Sequence, residues 1–398
     1  MILLKIIALI GTLPWYLSPV FALLFKQFVP RFDEIWLPTC THYPRLSVLV
    51  PACNEEDTIE RALEGLRTQR YPNLEIIVVN DRSTDRTGEI IDRIAAMDER
   101  VQAIHVDHLP EGWLGKVHAL HIASQQATGE WMLFTDADIH FSGTCLEDAV
   151  QYCVKENLDH LSLLPKMSSR SLVARFGIVS ALRAILVAVQ PWHVNDPTRP
   201  EGVGVGAFNL VNTQAFQDSP GLEWFKMDVA DDLALGQMMK SLRGRSQVMI
   251  GSKDVFVEWY PTVKAVFYGL EKNAYAQIAR CDYRQGMLVA GLAIWISLSP
   301  WMLLLIGESL WGVAPWMGAI ITAIVLSPIM AVSILDILGS YLIGDLLMAA
   351  VIARATKLGD ERGGVIWRGT VYTSEELRCN MKFRFGDWLV DLLQDKMP

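Results

Sequence analysis

The apolar positions of this 398-residue chain fall into two textures. Long unbroken apolar runs lie toward both ends, and short runs alternating with helix-period patterns fill the middle. Ile2 to Phe25 is interrupted only by Lys5, and it is long enough to cross a bilayer core of about 30 Å. It exceeds a usual signal-peptide core and lacks a small-x-small cleavage site, so the expectation is a retained anchor, kinked at Pro14 and Pro19. Met287 to Gly307 and Ser309 to Leu335 carry no charge, are separated by Glu308, and both reach spanning length. Trp295, Trp301, Trp311 and Trp316 flank their connection, as interfacial rings or as packed bundle residues. Ile337 to Ala353 is shorter and contains Asp345, so it reads as a span, a re-entrant segment or an interfacial helix. Lys26 and Arg31 after the first run, and Arg354, Lys357, Arg362 and Arg368 after the last, mark cytosolic flanks. That requires an even number of C-terminal crossings: two spans plus an interfacial segment, or a fourth span.

Between about residues 44 and 261 the pattern predicts an α/β domain in which strands alternate with covering helices. Leu46 to Val50 is the first strand. A helix opens at Asn54-Glu55-Glu56, with Ile59, Ala62, Leu63 and Leu66 on one face. Leu74 to Val79 is nearly all apolar, as a strand covered on both faces must be. A second helix turns Ile90, Ile91 and Ile94 inward, and strands follow at Val101 to Val106 and Glu130 to Phe134. Leu172 to Val189 is an apolar helix carrying Arg175 and Arg183, read either as a membrane-surface helix or as a packing helix. The resulting division is an anchor over 1–30, a globular domain over 44–261, an interfacial segment over 262–286, transmembrane helices over 287–353 and a cytosolic tail over 354–398.

Composition sharpens this division. Apolar residues make up 51% and charged residues 20%, with mean hydropathy +0.25, values that fit a charged globular part joined to a lipid-facing part. The formal charge of −9 argues against a polyanion-binding surface, so nucleic acid is not an expected partner. The six cysteines show no C-x-x-C pair and no zinc-like spacing with histidine, so they read as reduced thiols.

In an open sheet of this kind ligands bind beyond the carboxyl ends of the strands, where three polar clusters converge. They are Pro51-Ala52-Cys53-Asn54-Glu55, Asn80-Asp81-Arg82-Ser83-Thr84-Asp85 and Thr135-Asp136-Ala137-Asp138. Asp136 and Asp138 could gather around a hard divalent cation that also holds phosphate oxygens; an Asx-type turn is the other use of such a pair. Lys116 follows a glycine at a helix start, where an ammonium could meet a diphosphate. His118, His121 and His140 lie near these clusters without a ligand spacing and read as packing or exposed residues.

The series P-x-x-N-E, N-D-x-S-x-D, G-K-x-x-A-L at Gly115 to Leu120, and D-A-D resembles the nucleotide-sugar half of family-two inverting glycosyltransferases of the A-type, Rossmann-like fold. Val229 to Leu233 resembles the family's E-D motif, with Asp231 in place of the glutamate and Asp232 at the catalytic-base position. Without the family, Asp231 and Asp232 read as an acidic helix N-terminus. Gly202 to Asn209 is expected as an acceptor-side loop and strand, or as a bare turn. Gln277 to Cys281 resembles the Q-x-x-R-W motif of membrane-bound members, with Cys281 in place of tryptophan. A processive polysaccharide synthase is therefore less favoured than the lipid-modifying, hopanoid-associated and carotenoid-type members, whose R-G-G-x-x-W-R-G-x-x-Y tail Arg362 to Tyr372 matches.

The resemblance implies donor binding by Pro51, Asn54, Glu55, Asp81, Lys116, Asp136, Gln277 and Arg280, with Asp81 toward the nucleoside. It implies a divalent metal, Mg or Mn, on Asp136 and Asp138, and Asp232 as the base that deprotonates the acceptor hydroxyl. The expected partners are a nucleotide-sugar donor, a UDP-sugar by family default, and a membrane lipid acceptor. The expected location is a bacterial cytoplasmic membrane with the domain in the cytosol. Two rival classes remain: a metal-dependent nucleotidyltransferase, and a membrane scaffold or transporter, for which only Asp336 and Asp345 offer polar groups in the apolar segments.

Overall fold

A computed structural model of the chain describes residues 1–35, 37, 42–242 and 244–382. Helix α1 (Ile2–Phe28) leads into the domain, where strand β1 (Leu46–Ala52) is followed by α2 (Ile59–Arg67), β2 (Leu74–Asp81), α3 (Thr87–Met97), β3 (Val101–Val106), α4 (Gly115–Gln126) and β4 (Trp131–Phe134). The expected βαβαβαβ order and the inward faces of α2 and α3 are all present. The helix anticipated at Asn54 begins only at Ile59. Asn54 adopts a left-handed φ of 55° and its Oδ1 accepts from the Thr84 N–H at 2.8 Å, which ties the loop to the β2 carboxyl end before α2 starts.

The chain continues through β5 (His140–Phe141), α5 (Cys145–Glu156), β6 (His160–Leu164), β7 (Lys166–Ser168), α6 (Leu172–Val189), β8 (Asn209–Asn212), α7 (Thr213–Gln217), α8 (Asp231–Ser241), β9 (Ser246–Ile250) and β10 (Val255–Glu258). The main sheet runs β3-β2-β1-β4-β8-β6-β9, and a small sheet β5-β10-β7 lies beside it. β1 pairs in parallel with β2 and β4, whereas β8 is antiparallel to both β4 and β6, so the sheet is mixed. The chain builds outward from β1 to β3 and then returns to β1's other edge as β4. That reversal is the switch point where a crevice opens beyond the strand ends.

After α9 (Val263–Gly269), α10 (Glu271–Asn273) and a single π-turn, α11 (Tyr283–Leu305) and α12 (Ser309–Met330) form an antiparallel pair. With α1 they make a three-helix bundle. Its close approaches are set by glycines: a Cβ on Gly318 would lie 2.3 Å from the Trp15 carbonyl, and one on Gly11 would meet Ser299. Lys5 pairs with Glu308 at 2.7 Å at the end remote from the domain. At the near end Ile250 N–H donates to the Pro30 carbonyl (2.8 Å) and Ser252 Oγ to the Ile329 carbonyl (3.4 Å). Among the described residues five helices are long and apolar enough to cross a membrane: α1, α6, α11, α12 and the stretch Ile334–Arg362.

That last stretch comprises α13 (Ile334–Gly339), a π-turn and α14 (Asp345–Arg362). Both of its ends return to the domain. Asp336 accepts from Arg175 Nε at 3.1 Å, and Arg354 and Arg362 hold Glu271 at 2.6 and 2.8 Å. Between them Arg183 bonds Ser340 Oγ (2.8 Å) and lies 3.6 Å from the Tyr341 ring centroid, while Asp345 accepts from Ser180. Arg175 and Arg183 therefore neutralise the two aspartates that break the apolar pattern, and α6 packs on this stretch. The fold ends in a hairpin, β11 (Gly364–Trp367) and β12 (Thr370–Thr373), and α15 (Ser374–Asn380), whose Thr373–Glu376 capping box closes its first turn. Cys40 lies outside the described residues; no disulfide joins the other five cysteines.

Candidate functional site

A cleft of about 480 Å³ opens beyond the carboxyl ends of β1, β2 and β4. β1 contributes Pro51, Cys53 and Glu55, β2 contributes Asp81 and Arg82, and β4 contributes Asp136 and Asp138; Gly115 and Lys116 enter from α4. The three polar clusters read from the sequence thus face one volume. Asp81 is buried and grips its neighbour Arg82, which adopts a left-handed φ of 55°, through both oxygens (2.7 and 2.9 Å). A Cβ on Gly115 would sit 2.4 Å from Asp81 Oδ2, so any larger residue there would displace the Asp81–Arg82 pair.

At the inner end of the cleft Lys116 Nζ lies 2.7 Å from Asp136 Oδ1 and 3.0 Å from Asp231 Oδ2. Burial alone would lower this ammonium's pKa, but Asp136, Asp231 and Asp232 outweigh it and hold Lys116 well above its ordinary value. Asp232 accepts from the N–H groups of Gly206 and Leu233, each at 2.9 Å, which fixes the carboxylate at the first turn of α8. Burial, reinforced by Asp231, raises its pKa despite Lys116. The Gly202–Asn209 segment passes close by. A Cβ on Gly204 would strike the Asp232 carbonyl at 1.8 Å and one on Gly206 would crowd Asp136 Oδ2 at 2.8 Å, so these glycines let the loop run against the carboxylates. The strand read within this segment begins only at Asn209.

Among the described residues no cationic side chain lies within 4 Å of the Asp138 carboxylate, and burial with the nearby charges of Asp136 and Glu55 pushes its carboxyl up to about 7. This half-buried carboxylate pair, in which Asp136 already pairs with Lys116 while Asp138 has no ion-pair partner, opens to the cleft, and a hard divalent ion there would keep waters and substrate phosphates as its other ligands. Among the described residues no group of three His, Cys, Asp or Glu side chains forms a complete cage. Asp136 and Asp138 could therefore supply only part of the oxygen shell of an ion such as Mg or Mn. His118 and His121 pack on Trp113, with ring centroids 5.6 and 4.9 Å away, and His140 lies in β5.

Three of the residues read as donor ligands do not line the cleft: Asn54, whose side chain is taken by the Thr84 N–H, Gln277 and Arg280. Gln277 is buried in the π-turn before α11, with its Nε2 3.4 Å from Asp228 Oδ1, and Arg280 occupies the following turn at φ 53°. In their place the structure supplies residues the sequence reading left unassigned: Lys272, stacked Trp259 and Tyr260 (4.7 Å), and the C-terminal hairpin. Arg368, at φ 48° before Gly369 at φ 79°, makes the hairpin turn and reaches Glu55 and the Asn54 carbonyl. Arg82 donates to Thr370 Oγ1 (3.1 Å) and Gly115 N–H donates to the Tyr372 hydroxyl (3.2 Å). The W-R-G-x-x-Y signal was visible in the sequence, but nothing local in it says that the tail walls a cleft some 300 residues upstream.

Comparison with known proteins follows the same outline. Residues 47–167 match the family described as Glycosyl transferase family 2. The chain is 30% identical over 164 residues to the probable glycosyltransferase YdaM of Bacillus subtilis, covering 41% of this chain and 36% of that protein. It is 26% identical over 205 residues to the 4,4'-diaponeurosporenoate glycosyltransferase of Staphylococcus aureus, covering 50% and 52%. The matches thus span about a third to a half of these relatives. A mannosyltransferase from Pyrobaculum calidifontis, solved in complex with GDP-Man and Mn2+, superposes with a TM-score of 0.53 at 20% identity, covering 90% of this chain and 99% of that one. That likeness establishes a shared glycosyltransferase A-type fold.

Proposed function

We propose that this chain, whose residues 47–167 match the family 2 glycosyltransferases, transfers a sugar, with inversion, from a nucleotide diphosphate sugar to a hydroxyl of a membrane lipid. The observation that carries this reading is the arrangement at the inner end of the cleft. A half-buried carboxylate, Asp232, is held beside the cation and carboxylates of Lys116, Asp136 and Asp231, at the border between the cleft and an apolar cluster that continues into the helix bundle. Leu233, the residue after the base, packs in the same cluster as Val179, Trp192 and Val203 of the domain and Trp15, Ala319 and Ala323 of the bundle. An acceptor hydroxyl arriving from the membrane side would meet Asp232 first.

In this chemistry Asp232 takes the hydroxyl proton as that oxygen attacks the anomeric carbon, and the bond to the nucleotide diphosphate breaks on the opposite face. The pKa of Asp232, raised by burial, makes its carboxylate a stronger base than an exposed aspartate. Lys116 neutralises charge developing on the departing diphosphate. A divalent ion on Asp136 and Asp138, when bound, would supply further charge for the phosphates. Asp81 and Arg82 present acceptors and donors to the nucleoside. The reading also puts α1, α11 and α12 across a bacterial cytoplasmic membrane, with the domain and tail both in the cytosol. The carotenoid-type relative supports a lipid or isoprenoid acceptor.

The test is incubation of the purified protein with membrane lipid extract and a panel of labelled nucleotide sugars, followed by lipid analysis. Asp232→Asn should bind donor nearly as well as the wild type and lose turnover by about 10²- to 10⁴-fold. Transfer retained by that variant would remove Asp232 as base, and absence of any labelled lipid from the wild type would remove the acceptor class.

A further inference from the structure

The cation that family resemblance assigns to the donor diphosphate, Arg280, does not reach the cleft, yet departure of a nucleotide diphosphate needs positive charge beyond Lys116. Lys272 is the second lysine in the cleft. It follows Glu271, whose two carboxylate oxygens are already taken by Arg354 (2.6 Å) and Arg362 (2.8 Å) of α14. The nearest carboxylate along the chain is therefore spent, and no carboxylate lies within 4 Å of the Lys272 ammonium among the described residues. Instead Nζ stands 3.5 Å from the centroid of Trp367, on the hairpin. An aromatic face gives an ammonium a platform but leaves its other N–H donors pointing away from the ring. Those donors face a volume that also holds Lys116 and Asp136.

We propose that Lys272, seated on Trp367 and kept unpaired because α14 claims Glu271, forms with Lys116 the anion subsite that takes the diphosphate of the bound nucleotide. This rests on the glycosyl-transfer reading and assigns its leaving-group contact to a different residue from the one the Q-x-x-R resemblance implies. Three elements far apart in sequence cooperate: α10 supplies the charge, β11 the ring beneath it, and α14 the two arginines that free it. The ligand chemistry is a nucleoside diphosphate, recognised by its second phosphate.

The experiment is calorimetric binding of UDP, UMP, GDP and GMP to the full-length protein in detergent, with chelator present so that any preference for diphosphate reports the protein's own cations. Wild type should prefer the diphosphate of at least one base. Lys272→Met should weaken that diphosphate by about 10-fold or more, the loss of a charge-assisted bond, while its monophosphate changes less than about twofold. Arg280→Met should leave the ratio unchanged. Lys272→Gln, read by the same ratio, serves if the methionine variant fails to fold. An unchanged ratio in the Lys272 variants, an equal loss for mono- and diphosphate, or a loss of the ratio in Arg280→Met would overturn the assignment while leaving glycosyl transfer standing. Wild-type protein that shows no preference for diphosphate in chelator would overturn the assignment, and wild-type protein that binds no nucleoside diphosphate even with Mg or Mn added would overturn both.

Discussion

Lys116 is the residue whose removal the structure prices most directly in electrostatic terms. Its ammonium lies 2.7 Å from Asp136 and 3.0 Å from Asp231, and Asp232 is close enough to raise its pKa further. At an effective dielectric of about 20, each of the two contacts is worth about 6 kcal/mol before desolvation is subtracted. Lys116→Met keeps much of the stem's volume and leaves three carboxylates facing one another, which for a broken buried pair costs about 3 to 5 kcal/mol. The sign of the pH dependence follows. In the variant the carboxylates gain pKa on folding, so the folded state binds more protons than the unfolded one, and stability falls as pH rises. The penalty should be full near pH 8 and shrink toward pH 5 as the carboxylates protonate. The assay is thermal unfolding of wild type and variant in the same detergent and chelator from pH 5 to 8, followed by tryptophan fluorescence. A destabilisation that is flat across this range, or absent at pH 8, would refute the charge-cluster argument.

Three further outcomes are expected. Asp138→Asn should abolish divalent-dependent nucleotide binding and transfer, whereas Asp136→Asn should weaken both; full activity of Asp138→Asn in chelator would remove the metal from Asp138. Single cysteines introduced near Asp57 and near Lys357 should both resist an impermeant thiol reagent in intact cells, because both ends of the Ile334–Arg362 stretch contact the domain; labelling of one alone would require an odd number of intervening crossings. Burial lowers the pKa of His160 to about 4, so its neutral ring, bonded to Asn209 (3.0 Å), contributes stability that is complete above pH 6.5 and is lost as pH falls through 4. That loss amounts to about 3 kcal/mol, and a His160→Gln variant whose unfolding midpoint falls just as steeply over that range would exclude His160 as its source.

The strands and helices of the first half were legible because each carries its own signal: a doubly covered strand is continuously apolar, and an amphipathic helix repeats at 3.6 residues. The convergence of Pro51, Asp81, Lys116 and Asp136 was legible too, since parallel topology alone sends successive strand ends to one edge. What could not be read depends on contacts between distant segments. Asp345 looked like an interruption of a span until Arg183 and Ser180 of α6 were seen to meet it. Gln277 and Arg280 match the Q and R of a motif that departs only at Cys281, yet neither lines the cleft, and the π-turn and left-handed residues Arg280 and Cys281 around them have no composition signal. The partnership of Asp231 with Lys116 crosses more than 100 residues and left no trace in spacing.

The hairpin that walls the cleft also sets an order of assembly. Trp367, Arg368, Thr370 and Tyr372 follow α11 and α12 in the chain, so during synthesis they emerge only after both of those helices have left the ribosome. Until then Arg82 lacks Thr370, Gly115 lacks the Tyr372 hydroxyl, and the sugar-donor side stands open on one flank. On the proposed reading nucleotide affinity would report membrane integration: a chain inserted with one helix reversed would carry every motif of the domain and still lack the wall that completes its pocket.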